Sequence, residues 1–375
     1  MLGAYACDTL VRLVQINSIN PSLTTGAPGE KQIAEFVAGL LEDSGLQVRV
    51  LESVPGRPSV LAKLPGSGAG RSLMLNAHYD TVGVEGMPDP FSGEVRDGRV
   101  WGRGAFDMKG SLAACMTAAK MLAAGPRLRG DLYVAAVADE EYGSLGTTEI
   151  LKHVKTDAAI VTEPTALNIC LAHKGYLWIE VIVKGRAAHG SKFELGIDAN
   201  MKMGRFLYHL AELERELRAR QPHPLVGPPS LHAALLSGGT GLSTYAAESK
   251  VQIERRTIPG ETEAQAVAEI QAVVDRAEPS ADVRCFFARE PFEVAEDARI
   301  VQTLDRAITQ VVGRASAHIG DTPWMDAALL QAAGIETVVC GPAGAGAHSA
   351  EEWVDLDSVN QLAEILVTTA REYCG

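Results

Sequence analysis

Short apolar runs alternate with a helical pattern over the first 175 residues of the chain. Three runs, Leu73–Ala77, Asp131–Ala138 and Ala158–Thr162, are almost wholly apolar and are typical of strands buried on both faces. Between the first two, Lys109–Ala124 carries Ala, Leu and Met at helical spacing and ends before a Gly-Pro pair. This alternation predicts an α/β fold with a parallel or mixed sheet.

The pattern changes after residue 175. The next segment has the order strand–helix–strand–strand–helix–strand, which is that of a small α+β sandwich. Its predicted elements are 176–183, 198–220, 230–236, 248–256, 262–276 and 281–287. The first kind of pattern then returns, with elements near 297–312, 324–333, 337–340 and 357–371. We therefore predict a discontinuous domain of residues 1–174 and 288–375, with a second domain of residues 175–287 inserted in it.

Charge and composition narrow the possible functions. Lys and Arg number 34 against 47 for Asp and Glu, which gives a net charge of −13. Because nucleic acids and anionic membranes bind basic surfaces, we expect neither as a partner. The chain begins without signal-peptide features and has no apolar run of about 18 residues, so we expect a cytoplasmic protein. The six cysteines form no CxxC pair, which argues against a thiolate zinc site and a disulfide framework.

Residues with metal-binding side chains follow several of the predicted strands. In parallel sheets, ligands bind beyond the carboxyl ends of the strands. Two histidines and several carboxylates, without a cysteine, suit Zn²⁺, Co²⁺ or Mn²⁺ at a hydrolytic site. Taken singly, each residue is more often structural or part of a solvated loop, so the prediction depends on the whole set. The set consists of His78, Asp80, Asp107, Glu140, Glu141, Glu163 and His348.

The motifs around these residues resemble those of a known family. Residues 76–114, NAHYDTVGVEGMPDPFSGEVRDGRVWGRGAFDMKGSLAA, resemble the signature of the acetylornithine deacetylase / succinyl-diaminopimelate desuccinylase family of co-catalytic zinc amidohydrolases. That group also includes aminoacylases and glutamate-type carboxypeptidases. The motifs ADEEYGS, VTEPT, GRAAHGS, ERRTIPGET and GPAGAGAHSAEEWV follow in family order. The resemblance implies a catalytic domain of the zinc-exopeptidase type, with the inserted domain as a lid and dimerisation domain.

The resemblance also implies a centre with two metal ions per chain. His78 and Glu163 would bind the first ion, Glu141 and His348 would bind the second, and Asp107 would bridge the two. The expected ions are two Zn²⁺, with Co²⁺ or Mn²⁺ as substitutes. In this family the peptide bond after the bridging aspartate is cis.

Catalysis and substrate binding would fall to four further residues. Glu140 resembles the general base, and Asp80 would hydrogen-bond His78 from behind and fix its tautomer. His189, in the inserted domain, resembles a histidine that stabilises the oxyanion. In dimeric relatives this histidine comes from the partner's lid, which implies a homodimer and leaves open whether His189 acts in cis or in trans. Arg256 matches a lid arginine that would bind a substrate carboxylate, unless it forms a salt bridge within the lid.

These features predict metal-dependent removal of the acyl group from an N-acyl amino acid, with metal-held water as nucleophile and Glu140 as base. The alternative is a dipeptidase or carboxypeptidase that uses the same centre on a short peptide. A binding protein without turnover is disfavoured because every ligand and the base are present. A metal esterase or phosphohydrolase is disfavoured because no phosphate-binding element is visible. Asp326 is left open, either as a binder of a cationic substrate group or as a helix-start carboxylate.

Overall fold

The computed structural model describes residues 2–375. Within this range the helices are α1 Leu2–Gln15, α2 Lys31–Asp43, α3 Gly110–Ala123, α4 Leu145–Ile150, α5 Ala199–Ala219, α6 Glu263–Ala277, α7 Arg299–Val312, α8 Ala327–Ala332 and α9 Leu356–Tyr373. The strands are β1 Gln47–Leu51, β2 Ser59–Leu64, β3 Leu73–His78, β4 Glu94–Arg96, β5 Arg99–Trp101, β6 Leu132–Val137, β7 Ala158–Val161, β8 Ile169–His173, β9 Gly175–Lys184, β10 Ser230–Gly238, β11 Glu248–Thr257, β12 Asp282–Arg289, β13 Phe292–Glu293, β14 His318–Asp321, β15 Glu336–Val339, β16 Gly344–Ala345 and β17 Trp353–Asp355. An irregular turn, Ala105–Lys109, precedes α3.

The chain forms two compact units. The first unit contains residues 2–171, 294–319 and 325–375, and the second contains Ala172–Glu293 and Gly320–Trp324. The roles of lid and dimerisation domain that the resemblance implies for the inserted segment stay predictions. Among residues 2–375, no helix combines the length and the apolar composition needed to cross a bilayer.

The largest sheet is mixed, as the α/β alternation predicts. Through the first unit its order is β1-β2-β6-β3-β7-β15, followed by β8. The pairs β3–β6, β3–β7 and β7–β15 are parallel, whereas β1–β2 and β2–β6 are antiparallel. Strand β3 is buried along its whole length, as is nearly all of α3, which accounts for their continuous apolar sequences. Because β3, β6 and β7 are parallel neighbours, the residues that follow them meet at one edge of the sheet.

A small sheet in the first unit was missed by the sequence analysis. Its order is β16-β17-β5-β4, and each strand has only two or three residues. Strands this short give no periodic signal, so the sequence offers no pattern from which to predict them. The sheet matters for the site because the loop between β16 and β17 carries His348.

The second unit packs two helices on one antiparallel sheet. The observed element order, β9–α5–β10–β11–α6–β12, is the strand–helix–strand–strand–helix–strand order predicted from the pattern. The sheet order is β10-β11-β9-β12, and alternate residues of β9 and β11 are buried in a core shared with α5 and α6. Helix α6 begins with a capping box in which Thr262 and Gln265 satisfy each other's backbone N–H groups.

Candidate metal centre

The carboxyl ends of the parallel strands bring the predicted ligands of the first unit together. His78 is the last residue of β3, and Glu163 follows β7. Glu141 follows β6, while Asp107 comes from the turn before α3. Two sets of side chains each place their ligand atoms within 4.8 Å of one another: His78, Asp107 and Glu141, and His78, Glu140 and Glu163.

The two histidines share one carboxylate. Asp107 Oδ1 lies 3.1 Å from His78 Nε2, and its Oδ2 lies 3.2 Å from His348 Nε2. Each histidine also has a glutamate of its own, because Glu163 Oε1 lies 3.6 Å from His78 Nε2 and Glu141 Oε2 lies 3.0 Å from His348 Nε2. The peptide bond Asp107–Met108 is cis. This is a symmetrical arrangement of two ligand groups around a central carboxylate.

The adjacent glutamates Glu140 and Glu141 face different parts of this arrangement. Glu140 Oε2 lies 4.0 Å from His78 Nε2, on the side of Glu163, whereas Glu141 contacts His348. The two residues lie in a turn after β6, and their side chains reach different neighbours, which lets them take different roles. Glu140 and Glu163 belong to the same donor group, so the assignment of Glu140 as the base stays a prediction.

Asp80 supports the site in a way that differs in detail from the expectation. His78 Nδ1 donates to the backbone carbonyl of Asp80 at 3.0 Å, and the Asp80 carboxylate is 3.6 Å from the same nitrogen. The carboxylate accepts the backbone N–H groups of Glu140 at 3.1 Å and Glu141 at 3.3 Å. Asp80 therefore fixes the histidine through its backbone and the glutamate pair through its side chain.

A buried polar layer behind Asp80 was missed by the sequence analysis. It contains Asn20, Glu30, Arg57 and Asp139, which are at most 8% exposed. Arg57 contacts the other three, and Asn20 joins Asp139 to Asp80. Asn20, Glu30 and Arg57 lie in loops or at a helix start, far apart in the chain and outside any motif. Asp139 lies in the motif ADEEYGS but was assigned no role, so no local pattern indicated that the four residues are buried together.

A second buried pair holds the turn that carries Asp107. Glu352 accepts the backbone N–H groups of Phe106 at 3.0 Å and Asp107 at 3.1 Å. Its other oxygen accepts from Arg103 Nη1 at 2.6 Å, and Arg103 Nη2 donates to the carbonyl of Ser349 at 2.9 Å. Glu352 and Arg103 therefore join the Asp107 turn to the loop of His348. Glu352 lies inside the motif GPAGAGAHSAEEWV, but the sequence analysis assigned it no role.

Burial shifts the pKa values of the glutamates in the site upward. Burial raises the pKa of Glu141 to about 7 and that of Glu163 to about 8, and it raises the pKa of Glu140 well above its usual range. Burial also acts to raise the pKa of Asp107, but hydrogen bonds from His348 and His78 outweigh it and hold that pKa below its ordinary value. Hydrogen bonds to Asp107 and Glu141 raise the pKa of His348 to about 10.

The donor set fits a pair of divalent cations. Its ligand atoms are imidazole nitrogens and carboxylate oxygens without a thiolate, which suits Zn²⁺, Co²⁺ and Mn²⁺. Among residues 2–375, no lysine or arginine forms an ion pair with Glu140, Glu141 or Glu163. Buried carboxylates without a protein cation are costly unless another positive charge compensates them.

The two predicted residues of the inserted segment lie in the second unit. His189 is exposed and its Nδ1 is 2.9 Å from Ser191 Oγ. Arg256 donates through Nε to Glu254 Oε1 at 2.7 Å, and its guanidinium lies over the ring of Tyr176, 4.9 Å from the centroid. The salt bridge that was the structural alternative for Arg256 is therefore present, and it engages one edge of the guanidinium.

Asp326 does not act as a helix cap. Its side chain makes no hydrogen bond to the backbone of α8. It is 1% exposed, and its Oδ2 accepts from Thr147 Oγ1 at 2.5 Å. Asp326 directly precedes α8, which is the helix-start position considered from the sequence, and no contact among residues 2–375 supports the alternative of binding a cationic substrate group.

The chain matches one family model and is similar to several proteins of known name. A family model described as "Peptidase family M20/M25/M40" matches residues 74–372. N-formyl-4-amino-5-aminomethyl-2-methylpyrimidine deformylase of Bacillus subtilis (strain 168) is 29% identical over 410 residues, covering 97% of this chain and 95% of that protein. Acetylornithine deacetylase of Vibrio atlanticus (strain LGP32) is 27% identical over 375 residues, covering 96% of this chain and 97% of that protein.

Comparison with solved structures supports the same fold. An M20 family metallo-carboxypeptidase from Sulfolobus solfataricus matches with a TM-score of 0.81 at 19% identity, covering 98% of this chain and 99% of that one. At this level of identity the match establishes the fold alone, and it agrees with the mixed α/β class predicted from the sequence.

Metal binding is expected to weaken as the pH falls. Below about pH 7 the metal-free protein holds protons on Glu141, Glu163 and His348, and an incoming cation must displace them. Affinity for Zn²⁺ or Co²⁺ should fall roughly tenfold or more between about pH 9 and pH 6. Calorimetric titration in two buffers of different ionisation enthalpy measures both the affinity and the protons released. An affinity that is constant over this range, with no proton release, would contradict the prediction.

Proposed function

Because the chain belongs to the peptidase family M20/M25/M40, and is in that sense a metallohydrolase, we propose that it hydrolyses the amide bond of an N-acyl amino acid. The observation that carries the proposal is the Asp107 carboxylate shared by two histidines, each with its own glutamate. Relatives of similar length are named for deacetylase and deformylase activities, both of which remove a small acyl group from an amine. A deacetylase-like or desuccinylase-like deacylase is therefore the favoured activity.

Two Zn²⁺ per chain are the proposed cofactor, with Co²⁺ or Mn²⁺ as substitutes. His78 and Glu163 would hold one ion, Glu141 and His348 the other, and Asp107 would contact both. Bound there, the pair would supply Lewis acidity, which polarises an amide carbonyl and lowers the pKa of water. The protein's own contribution is to hold the five ligands in place through the strand ends and through Asp80 and Glu352.

Glu140 is proposed to move the proton. A general base must accept a proton from water and deliver it to the leaving amine, so it needs a carboxylate that is held in place but not neutralised by the protein. The N–H group of Glu140 is fixed by Asp80 Oδ1 at 3.1 Å, and its side chain has no lysine or arginine partner among residues 2–375. Burial, which raises its pKa, favours a carboxyl that can hold the proton during transfer.

The substrate carboxylate is assigned to Arg256 and the oxyanion to His189. The bond to Glu254 uses Arg256 Nε, and the structure gives Nη1 and Nη2 no hydrogen-bond partner among residues 2–375. That free edge is the part of a guanidinium that binds a carboxylate with two hydrogen bonds. A dipeptidase or carboxypeptidase acting on a short peptide would use the same residues, and the choice of substrate distinguishes it from a deacylase.

Replacement of Glu140 by Gln is expected to abolish turnover and to leave the metal content unchanged. The substitution keeps the size of the side chain and removes its capacity to accept a proton, so kcat should fall about a hundredfold to ten-thousandfold. Amine release from a panel of N-acetyl, N-succinyl and N-formyl amino acids and of dipeptides measures this, with a chelated sample as blank. Glu42→Gln, an exposed position in α2, is the matched control. Turnover by Glu140→Gln close to that of the parent protein would exclude Glu140 as the base.

A homodimer through the second unit is also proposed. Strand β10 is an edge strand of its sheet, and all its residues after the second are exposed. Leu235 and Leu236 in this strand are 65% and 59% exposed. An exposed apolar edge strand with unpaired backbone groups is a template for pairing with another chain. Helix α5 of the same unit adds the exposed apolar side chains of Met201 and Tyr208.

Leu236→Lys is expected to convert the dimer to monomers. A charged side chain on an edge strand opposes strand pairing between copies. Light scattering after size exclusion measures the mass. Val50→Lys places the same charge at an exposed position of β1, the edge strand of the large sheet, and should leave the dimer intact. A monomeric parent protein would exclude the dimer and any role of His189 in a partner's site.

A mixing experiment tests whether His189 acts in trans. Glu140→Gln and His189→Ala are each expected to be inactive. After subunit exchange at equal concentrations, a dimer of one copy of each contains one site with both Glu140 and His189 intact, provided that His189 serves the partner. Roughly a quarter of the parent activity should then return. No recovery, with exchange verified by differential labelling, would place His189 in the site of its own chain.

A further inference from the structure

Arg57 lies at the back of the metal centre and contacts four side chains. It belongs to the connection between β1 and β2 and is 8% exposed. Its Nε and Nη2 donate to the two oxygens of Glu30 at 2.5 and 2.6 Å. Nη2 also donates to Asp139 Oδ1 at 2.7 Å and Asn20 Oδ1 at 3.0 Å, and Nη1 donates to Ser22 Oγ at 3.0 Å. The Glu30 carboxylate therefore fixes the plane of the guanidinium, and the guanidinium fixes the other three groups.

Asn20 carries this arrangement forward to the site. Its Oδ1 accepts from Arg57 and from the backbone N–H of Ser22 at 2.9 Å. Its Nδ2 donates to Asp80 Oδ2 at 2.8 Å and Asp139 Oδ1 at 3.0 Å. The amide is thus fully used, and only one orientation satisfies its donors and acceptors.

The two carboxylates held by Asn20 fix the glutamate pair at two points. Asp139 directly precedes Glu140 and has a left-handed backbone with φ of 67°, a conformation that non-glycine residues adopt only when their surroundings impose it. Asp80 accepts the N–H groups of Glu140 and Glu141. A rotation of Asp139 or of Asp80 would therefore turn both glutamates.

The shape of the arginine matters as well as its charge. Arg57 places four hydrogen-bonded groups in the directions set by a planar fork, and it also neutralises part of the negative charge of Glu30 and Asp139. A lysine would keep the positive charge but would supply one nitrogen at a single point. Replacing Arg57 by lysine therefore tests whether the site needs the geometry of the guanidinium or only its positive charge.

We propose that Arg57, acting through Asn20, is a positioning residue for Glu140 and Glu141. Arg57 orients the base and a metal ligand together, by holding Asp139 and Asp80, and touches neither substrate nor metal. The proposal rests on the proposed function for the roles of the two glutamates.

The test compares Arg57→Lys with Arg49→Lys, a matched change at an exposed position of β1. Arg57→Lys is expected to lower kcat about 10- to 100-fold, to leave KM within about twofold, and to alter the visible absorption spectrum of the Co²⁺-loaded protein. Arg49→Lys should match the parent protein in every measurement. In the Glu140→Gln background, Arg57→Lys should cause a smaller further loss of kcat than in the parent protein, because the base is already gone, and it should still alter the Co²⁺ spectrum through Glu141.

Asn20→Asp provides a second variant of nearly identical size. It removes the two N–H donors of Asn20 Nδ2 and places a negative charge beside Asp80 and Asp139. It should therefore reproduce the loss of kcat and the spectral change of Arg57→Lys. If Arg57→Lys does not fold, Asn20→Asp alone tests the proposal. Parent-like kcat and Co²⁺ spectrum in the folded variant would overturn the proposal. So would a loss of activity that follows only the fraction of folded protein, as judged from thermal unfolding. Failure of the proposed function would appear separately, as a parent protein that binds no metal or turns over no substrate.

Discussion

Buried negative charge is the constraint on which the site depends. Four carboxylates from three segments of the chain converge on two imidazoles, and burying them unpaired would cost several kcal/mol each. The protein balances this charge in layers. Arg57 neutralises the rear carboxylates, and Arg103 neutralises Glu352 beneath the Asp107 turn. The carboxylates at the front of the site have histidine as their only ion-pair partners among residues 2–375, and burial, together with repulsion between the carboxylates, raises the pKa values of Glu141 and Glu163. Bound metal ions would supply the positive charge that this candidate metal site lacks.

The fold brings the ligand residues together, and the loops orient their side chains. Parallel pairing of β3 with β6 and β7 brings three strand ends together whatever residues follow them. Directing the side chains then needs unusual backbone at defined points. Asp139 and His348 have φ of 67° and 59°, and each is held by hydrogen bonds of its side chain or its loop. Left-handed backbone at non-glycine residues costs free energy, which the buried networks around Arg57 and Arg103 offset. The same networks thus serve both charge balance and geometry.

The sequence was informative where a local pattern reports a local structure. Apolar runs ending in acids or histidine located the strand ends, and the motifs located the ligands among them. The same reasoning missed Asn20, Arg57 and Glu30, because polar residues in loops are usually solvated and burial is a tertiary property. The contact between Asn20 and Asp139 spans 119 positions of the chain, a separation at which a single sequence carries no pairing signal. Glu352 was missed although it lies within a motif, since only the structure reveals that it receives the N–H group of Asp107.

The residues assigned to the reaction and those assigned to the substrate lie mostly in different units. The residues assigned to bond cleavage, apart from His189, lie in the first unit, and their types are dictated by the chemistry of an amide and a divalent cation. The residues assigned to the substrate carboxylate and the oxyanion, Arg256 and His189, lie in the second unit. A change of acyl group leaves the reacting bond the same and alters only contacts away from it, and such contacts are worth about 1–3 kcal/mol for each methylene. Differences of that size need no change in the metal ligands. Substrate specificity within this family can therefore diverge while the metal ligands stay the same, and the residues that determine it are expected in the second unit.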